Sequence, residues 1–230
     1  MIPGIVAGAP VAGGGLSTYF DEVMADNPVL YLRLAELSGP PVNSGSVSLT
    51  GGSYNAVTRG RPSLCDDAAD YAVTANTSTV SATFASSAVF QANNFTLEAI
   101  IKPSDVSGTR AIVSGSVGGC PYMRINNGKL NLLRSQLSDQ GSSTTNMTAG
   151  NIYHVAITVQ TGGAVAFYIN GVGAGTGISF ASFTSGNTAA YVGQELGSFD
   201  QFIGDLDEIA VYHSALSGAR IAAHAAAAGL

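Results

Sequence analysis

Tryptophan does not occur anywhere in the 230 residues. A sugar platform built on its broad ring is excluded, and nine tyrosines and nine phenylalanines supply all the aromatic surface. Charge is also scarce. Asp, Glu, Lys and Arg make up 10% of the chain, against roughly a quarter in soluble domains. The balance is acidic, with 15 Asp and Glu to 9 Lys and Arg, and no basic cluster interrupts it. Nucleic acid and anionic membrane surfaces are therefore excluded as partners on electrostatic grounds. A surface so poor in charge is either covered by other protein or solvated by Ser, Thr and Gly, and composition leaves both readings open. The two cysteines, Cys65 and Cys120, have no CxxC spacing and cannot form a disulfide scaffold. Buried free thiols are the expected state, with a single pairing as the alternative. No apolar run approaches the roughly 20 residues of a membrane span, and the first residues lack the basic start of a secretion signal.

What is present is apolar and β-forming. Hydrophobic residues reach 46%, enough for a sizeable core, and this length suits one large β domain. Residues 1–16 stand apart as an arm rich in Gly and Pro, which forbid a stable helix. Ile2, Pro3, Ile5, Val6, Pro10 and Val11 make it apolar where free tails are normally polar. It is expected to dock on a neighbouring subunit or partner, while residues 17–230 form the domain. Ser17 can cap a helix over 17–27 that Pro28 stops. A strand at 29–34 follows, then strands at 46–54, 70–74, 78–84, 95–102, 110–115, 120–126, 129–134, 152–160, 163–170, 189–194 and 202–212. Phe95, Leu97, Ala99 and Ile101 share one face, and Tyr153, Val155, Ile157 and Val159 share another, which puts one side of each strand in a core and the other towards solvent or a neighbour. The strands at 152–160 and 163–170 form a hairpin across Thr161-Gly162-Gly163. Around a dozen short strands without interleaved helices make a sandwich. An alanine-rich helix capped by Ser217 closes the chain.

Gly204 to Leu216 concentrates the most pattern: a glycine, then Asp205, Asp207 and Glu208, then the apolar run Ile209-Ala210-Val211-Tyr212. The acids are a catalytic set, a metal site or simply the mouth of a strand. Asp205 and Asp207 share a strand face about 6.5–7 Å apart, a spacing that glycoside hydrolysis tolerates. Period two puts Glu208 on the opposite face. Calcium needs several carboxylate and carbonyl oxygens; Asp205 with Asp207 is the candidate pair, and Asp66, Asp67 and Asp70 form a second acidic group. His154, His213 and His224 lack HExxH spacing and read as surface or packing residues, no GxSxG elbow exists, and Gly171 to Gly177 reads as a pliable loop rather than a nucleotide cradle.

Three stretches resemble one known family. Phe95 to Pro103 is similar to its "FTLEAWVKP" strand. Tyr153-His154-Val155-Ala156-Ile157-Thr158, followed by Ala166 to Val172, is similar to its "WHHVAVTY…LYVDGV" hairpin. Gly204 to Tyr212 with Ala215-Leu216-Ser217 resembles its closing "G-x-I-D-E-V-A-I-Y…ALS" strand and turn. The family is the laminin-G-like, concanavalin A-like lectin/glucanase jelly roll. Asn27 to Leu34 resembles the opening of its bacterial and phage members, and Met1 to Gly8 that of some tailed-phage virion proteins. The resemblance implies an all-β jelly-roll sandwich of two antiparallel sheets. The family's glucanases carry Glu-x-Asp-x-x-Glu on one strand. The matching positions here are Asp205, Asp207 and Ala210, so the acid is missing and no enzyme is expected. Calcium, bound by some members, is the one cofactor the resemblance suggests.

The expectation is therefore a non-enzymatic structural or interaction protein. Its setting would be a bacteriophage virion, as a capsid decoration, head-fibre or tail adhesion protein. Its partners would be other virion proteins and copies of itself. The alternative is a lectin-like module that recognises cell-surface glycans.

Overall fold

The computed structural model describes residues 18–66, 70–76, 78–85, 87–90, 94–160, 163–178, 186–195 and 200–230. The arm residues Ile2, Pro3, Ile5, Val6, Pro10 and Val11 lie outside them, as do Ser17 and Asp67. Among the described residues the first element is helix α1 (Tyr19–Ala25). Its cap is Thr18: the Thr18 hydroxyl accepts from the Asp21 amide at 3.2 Å, and the Asp21 carboxylate accepts from the Thr18 amide. This reciprocal box satisfies two end donors at once.

Fifteen strands follow among the described residues. The first five are β1 (Leu30–Leu32), β2 (Leu49–Asn55), β3 (Thr58–Pro62), β4 (Tyr71–Asn76) and β5 (Thr79–Phe84). The next five are β6 (Phe95–Pro103), β7 (Thr109–Gly115), β8 (Pro121–Asn126), β9 (Lys129–Arg134) and β10 (Ser138–Asn146). The last five are β11 (Tyr153–Val159), β12 (Val165–Ile169), β13 (Val172–Thr176), β14 (Ala189–Val192) and β15 (Ile203–Tyr212), before helix α2 (Gly218–Ala227). They form two antiparallel sheets. One has eight strands in the order β13-β12-β11-β6-β15-β4-β3, with β1 also paired to β15; the other has seven, β10-β9-β8-β7-β14-β5-β2. This is the expected jelly-roll sandwich. Strands β3, β10 and β13 had not been expected, and β13 replaces the pliable loop read into Gly171 to Gly177. Each of the three ends its sheet.

The core lies between the sheets. Phe95, Leu97, Ala99 and Ile101 of β6 and Val155, Ile157 and Val159 of β11 meet Val80, Ala82, Met123, Ile125, Leu130 and Leu132 from the opposite sheet. The other face of β6 is covered rather than open to solvent or a neighbour. Ile100, Tyr31, Ala210 and Tyr212 form a second cluster with Tyr19 and Val23 of α1. Helices of 7 and 10 residues are too short to persist alone in water. Burying Tyr19, Val23 and Ile221 at roughly 1.5–3 kcal/mol per large apolar side chain is what holds them.

Strand β15 changes neighbour along its length. Ile203 to Leu206 pair with β4, while Ile209 to Val211 pair with β1. Between the two halves the register against β6 slips by one residue, from Asp207↔Ile100 to Ala210↔Glu98, and Glu208 takes φ 52°. The result is a β-bulge where β1 ends and β4 begins.

Candidate functional site

The bulge overturns the expected orientation of Glu208. The inserted residue breaks the period of two, so Glu208 lies on the same outer face as Asp207 rather than opposite it. Both are fully buried. Arg33, just past β1, places Nη2 2.7 Å from Asp70 Oδ2 and Nε 3.2 Å from Glu208 Oε1. Asp70, just before β4, is also buried. Asp207 Oδ2 accepts from the Leu64 amide at 2.8 Å and the Ser63 hydroxyl at 3.2 Å. Asp70 and Glu208 thus share one guanidinium, while Asp207 is held by the Leu64 amide and the Ser63 hydroxyl. Burial pushes the Asp207 and Glu208 carboxyls well above their ordinary range, and the nearness of Asp70 and Asp207 adds to the rise at Glu208. Burial likewise pushes the neighbouring Cys65 thiol up to about 12.

The acids singled out in the sequence therefore part company. Asp205 shares the outer face with Asp207, but its Oδ1 accepts from the Thr74 hydroxyl and lies 4.0 Å from Arg61 Nε. Asp66 is exposed, its amide donating to the Ala228 carbonyl. Asp70, Asp207 and Glu208 come together, with Arg33 and Cys65, which sequence reasoning had not placed there. Ala210 is fully buried among the residues beneath α1. Asp207 and Glu208 are closed off from solvent, while the Asp205 side chain stays 18% exposed.

A second buried polar group lies under the helices. Glu98 of β6 is bonded to His154 Nε2 at 2.6 Å, to His224 Nδ1 of α2 at 2.9 Å and to the Tyr19 hydroxyl at 2.9 Å. His224 Nε2 continues to Asp26 at 3.0 Å, and Asp26 accepts from Arg220 Nε at 2.8 Å. Burial alone would raise the Glu98 carboxyl; the bonds from His154 and His224 outweigh it and hold Glu98 well below the usual carboxylate range. Burial would lower His224, and Glu98 and Asp26 together raise it instead. The two histidines are packing residues as expected, joined through a carboxylate.

The seven-stranded sheet is different, because both helices pack on its partner sheet. A cross-strand row runs over its outer face: Ser53, Ser81, Tyr191, Ser114, Tyr122 and Leu133. Beside it Arg124 pairs with Asn131. The fully buried Asn131 accepts from Arg124 Nε at 2.6 Å and donates to the Gly141 carbonyl at 2.7 Å. The Arg124 guanidinium lies 5.3 Å from the Tyr122 ring centre, and the Tyr122 hydroxyl donates to Asp200 at 3.0 Å. Ser114, Tyr122 and Asn131 are fully buried and the Arg124 side chain is 13% exposed, so the hydroxyls of this row that reach solvent are those of Ser53, Ser81 and Tyr191.

Known proteins share this framework. Domain 4 of AbnA, a GH43 extracellular arabinanase from Geobacillus stearothermophilus solved with arabinotriose, superposes with a TM-score of 0.63 at 18% identity, over 86% of this chain and 98% of that one. The binding domain of Paraclostridial Mosquitocidal Protein 1 gives 0.66 at 15% identity, over 86% and 51%. The botulinum neurotoxin serotype D ligand-binding domain, solved with N-acetylneuraminic acid, gives 0.65 at 14%, over 89% and 52%. The chain thus spans about half the length of these toxin binding domains. No curated protein matches it in sequence. The Laminin_G_3 family profile matches residues 71–222, more than half of the chain, and the chain belongs to that family of the concanavalin A-like lectin/glucanases superfamily.

Proposed function

We propose that the chain is a non-catalytic recognition module that binds oligosaccharide on the outer face of its seven-stranded sheet. The observation that carries this reading is the outer polar row of the sheet on which neither described helix packs, with Arg124 locked between Asn131 and Tyr122. The fold is that of binding domains, two of them solved with sugars, which supports the same reading. With no tryptophan, the half-buried Tyr191 provides the aromatic contact and Arg124 the directed donors. The test is a glycan array followed by calorimetry on the retained glycans. Tyr191→Ala and Arg124→Ala should each weaken binding by tenfold or more, about 1.4 kcal/mol; Tyr191→Ala should keep a melting curve close to wild type, while Arg124→Ala leaves the buried Asn131 oxygen without its donor and should melt lower. A wild-type protein that retains no glycan, or variants that bind equally well, would refute the reading.

A second reading is assembly in a phage particle through the N-terminal arm. It is favoured by large apolar side chains left exposed on a low-charge surface, among them Leu37, Leu137 and Val172 at 62%, 62% and 69%. It places the chain in a virion as a decoration, head-fibre or tail adhesion protein, among copies of itself and other virion proteins. Light scattering with and without residues 1–15 separates the two. Assembly requires an oligomer that dissociates on truncation, whatever glycan is present.

A further inference from the structure

We propose that the N-terminal arm of one copy adds a strand to the free edge of β2 in another copy. This rests on the reading of assembly through the arm and supplies its acceptor surface. Four strands end the two sheet orders: β3, β13, β10 and β2. Three of them are guarded. Strands β10 and β13 close one side of the sandwich against each other. There the Ile178 amide donates to the Gln140 carbonyl at 2.9 Å, and the Thr144 hydroxyl to the Ala174 carbonyl at 3.0 Å. Strand β3 carries Arg59, Arg61 and Pro62, residue types that keep another strand off an edge. Strand β2, Leu-Thr-Gly-Gly-Ser-Tyr-Asn, has neither charge nor proline. Among the described residues only β5 bonds its backbone, so one side of β2 keeps its ladder groups unpaired. A groove of about 440 Å³ opens between residues 40–47 and the start of β2, with Pro40, Val42, Val47, Leu49 and Thr50 in its lining. No β5 residue lines it, which puts it on the unpaired side of β2. No charged residue lines it either, and Val42 is 58% exposed.

The arm has the matching chemistry. Residues 1–16 carry no charged side chain. Between Pro3 and Pro10, Gly4-Ile5-Val6-Ala7-Gly8-Ala9 is a run in which every residue has an amide to donate, and Ile5 and Val6 are β-branched. Extended, that run spans about 20 Å, a fair match to the seven residues of β2. Main-chain bonds along β2 give the affinity, and the apolar groove takes alternate side chains. The residues before Thr18 reach roughly 55–60 Å when fully extended, enough to cross to a neighbouring copy.

The test uses the full-length chain with the photo-crosslinking residue benzoylphenylalanine in place of Val6. Isotopically light and heavy batches are mixed, and linked peptides are read by mass spectrometry, with light scattering in parallel. The expected links run from position 6 to residues 40–54 and join light chains to heavy ones. Ile5→Asp and Val42→Arg should each weaken association at least tenfold, and Val42→Arg, at an exposed position, should melt close to wild type. Links confined to single chains would overturn the exchange between copies. An oligomer that needs residues 1–15 but ignores Val42→Arg, with its links mapping away from β2, would overturn this edge and leave assembly through the arm standing. A monomer with and without residues 1–15 would remove the assembly reading and this inference together.

Discussion

Gly204 has φ +140°, and a Cβ there would overlap the Lys102 carbonyl oxygen. Gly204→Ala should therefore cost about 1–3 kcal/mol, read as a lower urea midpoint at unchanged slope; an unmoved midpoint would show the backbone to be unstrained. Three residues on, the bulge had a trace in the sequence. The core residues Leu206, Ile209 and Val211 are spaced by three and then two, so one residue must be extra. Strict alternation missed this and sent Glu208 to the wrong face. Arg33 and Cys65 were not legible as parts of the cluster, because nothing local shows that the end of β1 and the loop before β4 converge on β15. Ala210 was legible, since its identity alone empties the acid position.

At the scale of elements, interior strands were readable, while three of the four strands that end the two sheet orders were not. Burial imprints apolar alternation, as in β6 and β11. The polar β10 (Ser-Asp-Gln-Gly-Ser-Ser-Thr-Thr-Asn) and the glycine-rich β13 (Val-Gly-Ala-Gly-Thr) each end a sheet and bury less. The closing helix and its Ser217 cap were readable; the covering of the outer face of β6 was not, because Thr96, Glu98 and Lys102 read as solvent-facing. That covering is pH-sensitive. Glu98, depressed in the fold, contributes stability above its unfolded value of about 4.3, and this is lost as pH falls through its folded value. His224, raised, contributes below about 6.5, and this is lost as pH rises through its folded value. Both contributions are complete between these limits. Melting temperature should be highest there and fall towards pH 8, with the alkaline limb flattened in His224→Gln; an unchanged limb would mean that α2 is held by packing alone.

The whole molecule keeps both thiols inside. Cys65 and Cys120 are free and buried, and burial pushes Cys120 up to about 11. At pH 8 a thiol reagent should label the pair only as fast as the sandwich opens globally, and orders of magnitude faster in urea; rapid native labelling of either would reveal local opening. The antiparallel pairing of β1 with β15 has a further effect during synthesis. Leu30, Tyr31 and Leu32 find their partners at Val211, Ala210 and Ile209, and α1 finds Arg220 of α2 through Glu22 and Asp26. On the ribosome, β1 has no strand to join among the described residues until β15 emerges. Contacts of such long sequence separation fold slowly. Helix α1 and strand β1 therefore wait, open to proteases and chaperones, for β15 and α2 to close over them.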